Sequence, residues 1–140
     1  MNEPGHQRWH RAALLLGVLY LVAGLAFGAL AGRASSSQMR VTWRLLAWLI
    51  SGAGFASHIG YEHFRLRNPP VRAALHASLA VALGAFGLAV AANVHALRSG
   101  SSHRGALALA IVLWPVLTAM PAFLVALALA ALLAVRRRGV

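Results

Sequence analysis

Four long stretches without a formal charge set the limits on what this chain can fold into. Arg11 and Arg33 enclose 21 uncharged residues, Arg44 and Glu62 enclose 17, Arg72 and Arg98 enclose 25, and Arg104 and Arg136 enclose 31. A helix crossing the roughly 30 Å hydrocarbon layer needs about 20 residues. Each stretch can therefore span, the second only with Trp43 and the residues after Glu62 at the interface. Four such runs cannot be soluble core helices, because no polar face would remain. Lipid also excludes open sheet edges, which leaves helices. The sequence thus predicts an all-α integral membrane protein, a four-transmembrane-helix antiparallel (up-down-up-down) bundle. Residues 1–140 form a single membrane domain, with spans near 12–32, 43–64, 71–97 and 105–135.

The expected links are short: Ala34–Thr42, Arg65–Pro70 and Ser99–Arg104. Short links make successive helices antiparallel neighbours. Asn68-Pro69-Pro70 is a strong break, because neither proline donates a backbone hydrogen bond. The serine tracts at 35–37 and 99–102 supply turn residues and helix caps. Arg8 and Arg11 ahead of an apolar run ending at Ala29-Leu30-Ala31 have the outline of a cleavable signal. The run exceeds the usual 7–15 residues of such a segment, so a retained helix is expected.

All 13 basic residues are arginine, against two acids, Glu3 and Glu62, for a formal net charge of +11. Eight of the arginines lie on the amino-terminal arm, the second link and the tail, and five on the other two links. The positive-inside rule then places both termini in the cytoplasm and the protein in the inner or plasma membrane. The arginines are also suited to anionic lipid head groups, at about 1 kcal/mol each near the surface. Nucleic-acid binding is not expected, because the charge is divided between the two membrane faces. Trp9 and Trp43 occupy positions suited to interfacial anchors.

Helices in lipid associate through close backbone approach, so small residues at seam spacing are informative. Gly24, Gly28 and Gly32 form a doubled G-x-x-x-G in the first span. Gly52, Ala56 and Gly60 repeat in the second, and Ala77, Ala80, Gly84, Gly87 and Ala91 mark a seam in the third. The fourth carries Ala122, Ala126, Ala130 and Ala134. These stripes close the bundle or join protomers, and a homo-oligomer is expected. Pro115 and Pro121 free the carbonyls near Ile111 and Leu117 and predict a kink. A broken, ion-coordinating helix is the alternative there, with Thr118 between the prolines.

The most specific chemistry lies around the second link. His58 and Glu62 are an i, i+4 pair on one helix face, and Arg65 is three residues further, in reach of an ion pair. His76 enters the third span at a matching depth. A cluster of His58, Glu62 and His76 suits a proton or ion path, because imidazoles titrate near neutral pH and a membrane carboxylate is functional when deep. Arg65, Arg67 and Arg72 can neutralise Glu62 or meet head groups. The competing reading is an interfacial cap on the hairpin. Haem b ligation by His58 and His76, or a metal held by His58, Glu62 and His76, is a weaker alternative; no cofactor and no metal is expected. Asn93, the only carboxamide within a span, falls away from the small seam of its helix and is expected to face an interface or another protomer.

Without cysteine there is no disulfide, thiolate site or redox dithiol. No P-loop, dinucleotide fingerprint or serine nucleophile motif is present, and two acids exclude a paired-carboxylate hydrolase in practice. The expectation is a non-enzymatic, oligomeric proton, ion or small-solute transport protein. The alternatives are an accessory or assembly subunit of a larger membrane complex, and a haem or metal redox protein.

Overall fold

The structure, a computed structural model, describes residues 4–99 and 104–138. The third expected link, Ser99–Arg104, lies almost wholly outside them, and the side chains of residues 4–8, 104, 137 and 138 are likewise outside the description. Four helices account for nearly all the described chain: α1 Pro4–Gly32, α2 Ser37–Phe64, α3 Pro70–Arg98 and α4 Arg104–Arg138. No strand occurs among the described residues.

The helices begin earlier than the charge gaps alone predict. Arginine is a good helix former, and exposed Arg11, Arg40 and Arg44 continue the helices past their apolar portions. The first link is accordingly only residues 33–36, where Ser36 caps α2 by accepting a hydrogen bond from the Met39 N–H at 3.1 Å. The second link turns at Arg67, whose φ of 52° lies in the left-handed region. It ends at Pro70, the first residue of α3, where a missing N–H is harmless.

Three helices are long and apolar enough to cross a membrane: α1 over Trp9–Gly32, α3 over Pro70–Arg98 and α4 over Gly105–Arg136. α2 is not among them. It has the length, but Ser51, His58, Glu62, His63 and several glycines dilute its apolar content. Its outward residues are nonetheless apolar, Trp48 and Leu49 being 78% and 68% exposed. Leu15, Val112, Leu124 and Val135 continue that apolar exterior on α1 and α4.

The interior is built from alanine. Ala73, Ala74 and Ala77 of α3 meet Ile59 of α2 and Ala126 and Ala130 of α4, with Phe55, Phe123, Leu127 and Leu133 packed around them. A second cluster joins Ala13 and Leu16 of α1 to Ala80 of α3, flanked by Trp9 and Tyr20. α3 is the central helix: it packs most extensively on α4, and α1 lies against both α2 and α3 but not α4. α2 touches α3 and α4 only lightly. Contacts of Gly17 with Ala80 and Leu83, and of Gly24 with Leu88, advance together along α1 and α3, so these two run in the same direction. Gly54 against Leu16 and Leu19, with Phe27 against Trp43, gives α1 and α2 opposite directions.

The close-approach glycines differ in part from those expected. A Cβ at Gly84 would stand 2.6 Å from the Tyr20 Cβ and 3.1 Å from the Gly17 carbonyl oxygen. One at Gly87 would meet Leu21, and one at Gly24 would lie 2.8 Å from Leu88. Gly28 and Gly32 face open space. Gly52 and Gly60 are also open, and Gly54 makes the contact on α2 instead. Gly17, which packs on Leu83 and the backbone of Ala80 and Gly84, and Gly54, which packs on Leu16 and Leu19, were not marked by the G-x-x-x-G pattern, because neither has another glycine four residues away on its own helix.

Pro115 and Pro121 lie inside one uninterrupted α4. The Thr118 hydroxyl donates to Trp114 O at 2.9 Å and approaches Pro115 O at 3.1 Å, not the carbonyls the prolines free. Asn93 departs from its expected outward position: its amide donates to Ala89 O within α3 and, at 2.6 Å, to Leu107 O of α4. α3 packs on two sides, so a position away from its α1 seam still faces a neighbour.

Candidate functional site

At the second-link end of the bundle, α1, α2 and α3 enclose Glu62, whose residue exposure is 0%. An isolated carboxylate is costly to remove from water, so its partners decide its state. Its Oε1 lies 3.0 Å from Nδ1 of His76 and 3.7 Å from Nε2 of His58. Its Oε2 accepts a hydrogen bond from the Asn68 side-chain amide. The backbone N–H of Asn68 also returns to the Glu62 carbonyl oxygen at 3.1 Å. Asn68 thus fastens the link to both ends of the same residue, and the left-handed turn at Arg67 brings it there.

The structure brings His58, Glu62 and His76 together. All three are buried, and each is positioned by a different feature. The i, i+4 spacing stacks Glu62 back over His58. Ile59, packed in the alanine core, fixes the rotation of α2. Ala73, Ala74 and Ala77 hold α3 close enough for His76 to reach the carboxylate.

Arg65, Arg67 and Arg72 are exposed, and none of them is paired with Glu62; its partners within ion-pair distance are the two histidines. The expected i, i+3 bond to Arg65 does not form because Glu62 turns inward to α3 while Arg65, just past the end of α2, points out. Among the described residues no group of three His, Asp or Glu side chains is arranged to hold a metal ion. The two imidazoles converge on one carboxylate oxygen, which stands where a macrocycle would have to lie between them.

Three participants carried no clear mark in the sequence. Trp9 lies on His76 with ring centroids 4.1 Å apart and planes within 2°. An indole face favours a cation above it. Its position suits an interfacial anchor, and its ring is turned onto α3. Asn68 was read only as part of a break. His63 is buried beside Glu62, edge-on to Phe64, with Nε2 lacking a hydrogen-bond partner; its adjacency to Glu62 was the available signal.

Comparison with known protein families, with curated proteins and with solved structures finds no match.

The arrangement is suited to passing a proton between the His76 imidazole and the Glu62 carboxylate along one hydrogen bond. In one state the His76 N–H donates to the carboxylate; in the other the carboxyl O–H donates to the imidazole nitrogen. His58, 3.7 Å from the same oxygen, is near enough to take part after a small side-chain movement. Asn68 only donates to Oε2 and so keeps the carboxylate oriented through either state.

Proposed function

We propose that this protein is a small multi-pass protein of the cell membrane that moves protons, or a small cation in exchange for them, through Glu62. The observation that carries the reading is a fully buried carboxylate touching two imidazoles inside a bundle with an apolar exterior. Ionisable residues within membrane proteins are expensive, and they mark ion or proton pathways when they face the bundle interior. Arg65, Arg67 and Arg72 ring the mouth of the site, where they attract anionic head groups.

In this reading all four helices cross the bilayer, up, down, up and down. α2 is the fourth span, able to cross because His58, Glu62 and His63 face inward and Trp48 and Leu49 face lipid. Both termini are cytoplasmic, by the arginine distribution. The protein acts as a homo-oligomer, with the open faces of Gly28 and Gly32 free for contact between copies.

Purified protein in proteoliposomes with an internal pH dye tests the function. Wild type should dissipate an imposed proton gradient faster than empty vesicles, and Glu62→Gln should not. Equal rates for wild type and empty vesicles would remove the transport reading. The runner-up is an accessory subunit in which the same cluster only locks the second link, as the double tie from Asn68 would serve. It predicts no flux from the protein alone and co-purification with a larger membrane complex.

A further inference from the structure

Among the described residues three buried side-chain polar atoms have no hydrogen-bond partner: Nε2 of His58, Nε2 of His63, whose ring lies edge-on to Phe64, and the hydroxyl oxygen of Tyr20. His58 is only 6% exposed. Buried polar groups are almost always bonded to protein or to ordered water, so two orphans facing one interior region call for a common partner.

Their placement is set by the packing. Gly54 lies one turn before His58 on the same face of α2, and its Cβ would meet Leu16 and Leu19 of α1. His58 therefore faces α1. At 100° per residue, Tyr20 lies about 40° from Leu16, which faces α2, and about 40° from Gly24, which faces α3. Tyr20 thus looks into the groove between α2 and α3. Its ring packs on Ala13, Leu16 and Ala80, the cluster that also supports Trp9. Helical side chains lean towards their own amino terminus. α1 and α2 run in opposite directions, so Tyr20 and His58 lean towards one another.

We infer that His58 Nε2 and the Tyr20 hydroxyl hold an internal water, so that a polar chain runs from Glu62 through His58 and this water to Tyr20. A stable internal water needs two to four polar partners. His58 and Tyr20 supply two, and Glu62 Oε1, 3.7 Å from His58 Nε2, can supply a third. Around the site the other helices bring His76 and Trp9 at its mouth, Ala126 and Ala130 of α4 at the depth of Ala73, Ala74 and Ala77, and Ala80 deeper in. The chain extends proton transfer towards the middle of the bundle. Water and the tyrosine hydroxyl each accept one proton and release another, with no net change. The role of Tyr20 rests on the transport reading of Glu62; the water site does not.

The test uses wild type and Tyr20→Phe in lipid bilayers, with two measurements. Solid-state NMR of water-to-protein magnetisation transfer reads the site directly, and the proteoliposome assay reads flux. The phenylalanine ring keeps the packing against Gly84, so the variant should fold. We expect early water transfer to both the His58 and Tyr20 rings, lost at His58 in Tyr20→Phe, with flux reduced roughly a hundredfold, the low end of what removing a proton-transfer group costs. Absence of water transfer at His58 and Tyr20 in wild type would overturn the site even if flux is present. Unchanged flux in Tyr20→Phe, with wild type active, would overturn the role of Tyr20. Wild type that is hydrated at both rings but carries no flux would overturn the transport reading and leave the water site standing.

Discussion

The indole of Trp9 lies flat on the imidazole of His76, 4.1 Å between centroids and 2° between planes, on helices that run in the same direction and are separated in the chain by all of α2. A double-mutant cycle with Trp9→Leu and His76→Leu, followed by thermal unfolding in mild detergent, should return a coupling of about 0.5–1.5 kcal/mol. Additive effects would mean that the rings do not meet in solution.

Breaking the buried pair from the histidine side should be worse than removing it. His76→Leu leaves Glu62 in the interior without its nearest partner and should cost about 3–5 kcal/mol. Adding Glu62→Leu to it should restore much of that loss, because the orphaned carboxylate is gone. A double variant less stable than His76→Leu would show that the carboxylate is satisfied by something other than the imidazole.

The glycines separate contact from open surface. Gly84→Ala forces a methyl against the Tyr20 Cβ and the Gly17 backbone, neither of which can swing aside, and should cost about 1–3 kcal/mol. Gly28→Ala meets nothing and should be neutral or stabilising by up to about 1 kcal/mol, the helix-propensity gain. Gly28→Leu adds a further readout: if this face joins two copies, crosslinking in membranes falls while the melting temperature of the monomer does not.

Whether α2 crosses the membrane is decided by two introduced cysteines, which the absence of native cysteine makes clean. Ser35 and Arg65 are both exposed and flank α2 at its two ends. Ser35→Cys should label only from outside the cell and Arg65→Cys only from inside. Labelling of both from one side would reduce the spans to the three most apolar helices.

Charge gaps located the helices because arginine is costly in hydrocarbon, and a gap is a direct image of that cost. They did not show how far each helix runs into water, since an arginine that ends the apolar run does not end the helix. The meeting of His58 with Glu62 was legible because i, i+4 spacing is local geometry. The depth of His76 followed from counting residues on either side of a short link. Trp9 was not legible, because nothing in the periodicity of α1 says that it lies beside α3 as well as α2. Asn68 was hidden for a different reason: its place depends on a left-handed residue at Arg67, a position where arginine gives no signal. The glycine stripe left open whether Gly28 and Gly32 close the bundle or join protomers, because spacing records which residues share a face and not whether that face is covered.

Both hydrogen-bonding partners of the Glu62 side chain, Asn68 and His76, follow it in the chain. A ribosome delivers α1 and α2 first, so for the time needed to translate the next fourteen residues the nascent α2 carries a carboxylate with only His58 of its two imidazoles beside it. The segment least able to enter lipid unaided is the one that must wait for its successor. In the four-span reading, commitment of α2 to the bilayer would thereby be postponed until α3 emerges, and the two would leave the translocation machinery as a hairpin instead of one helix at a time.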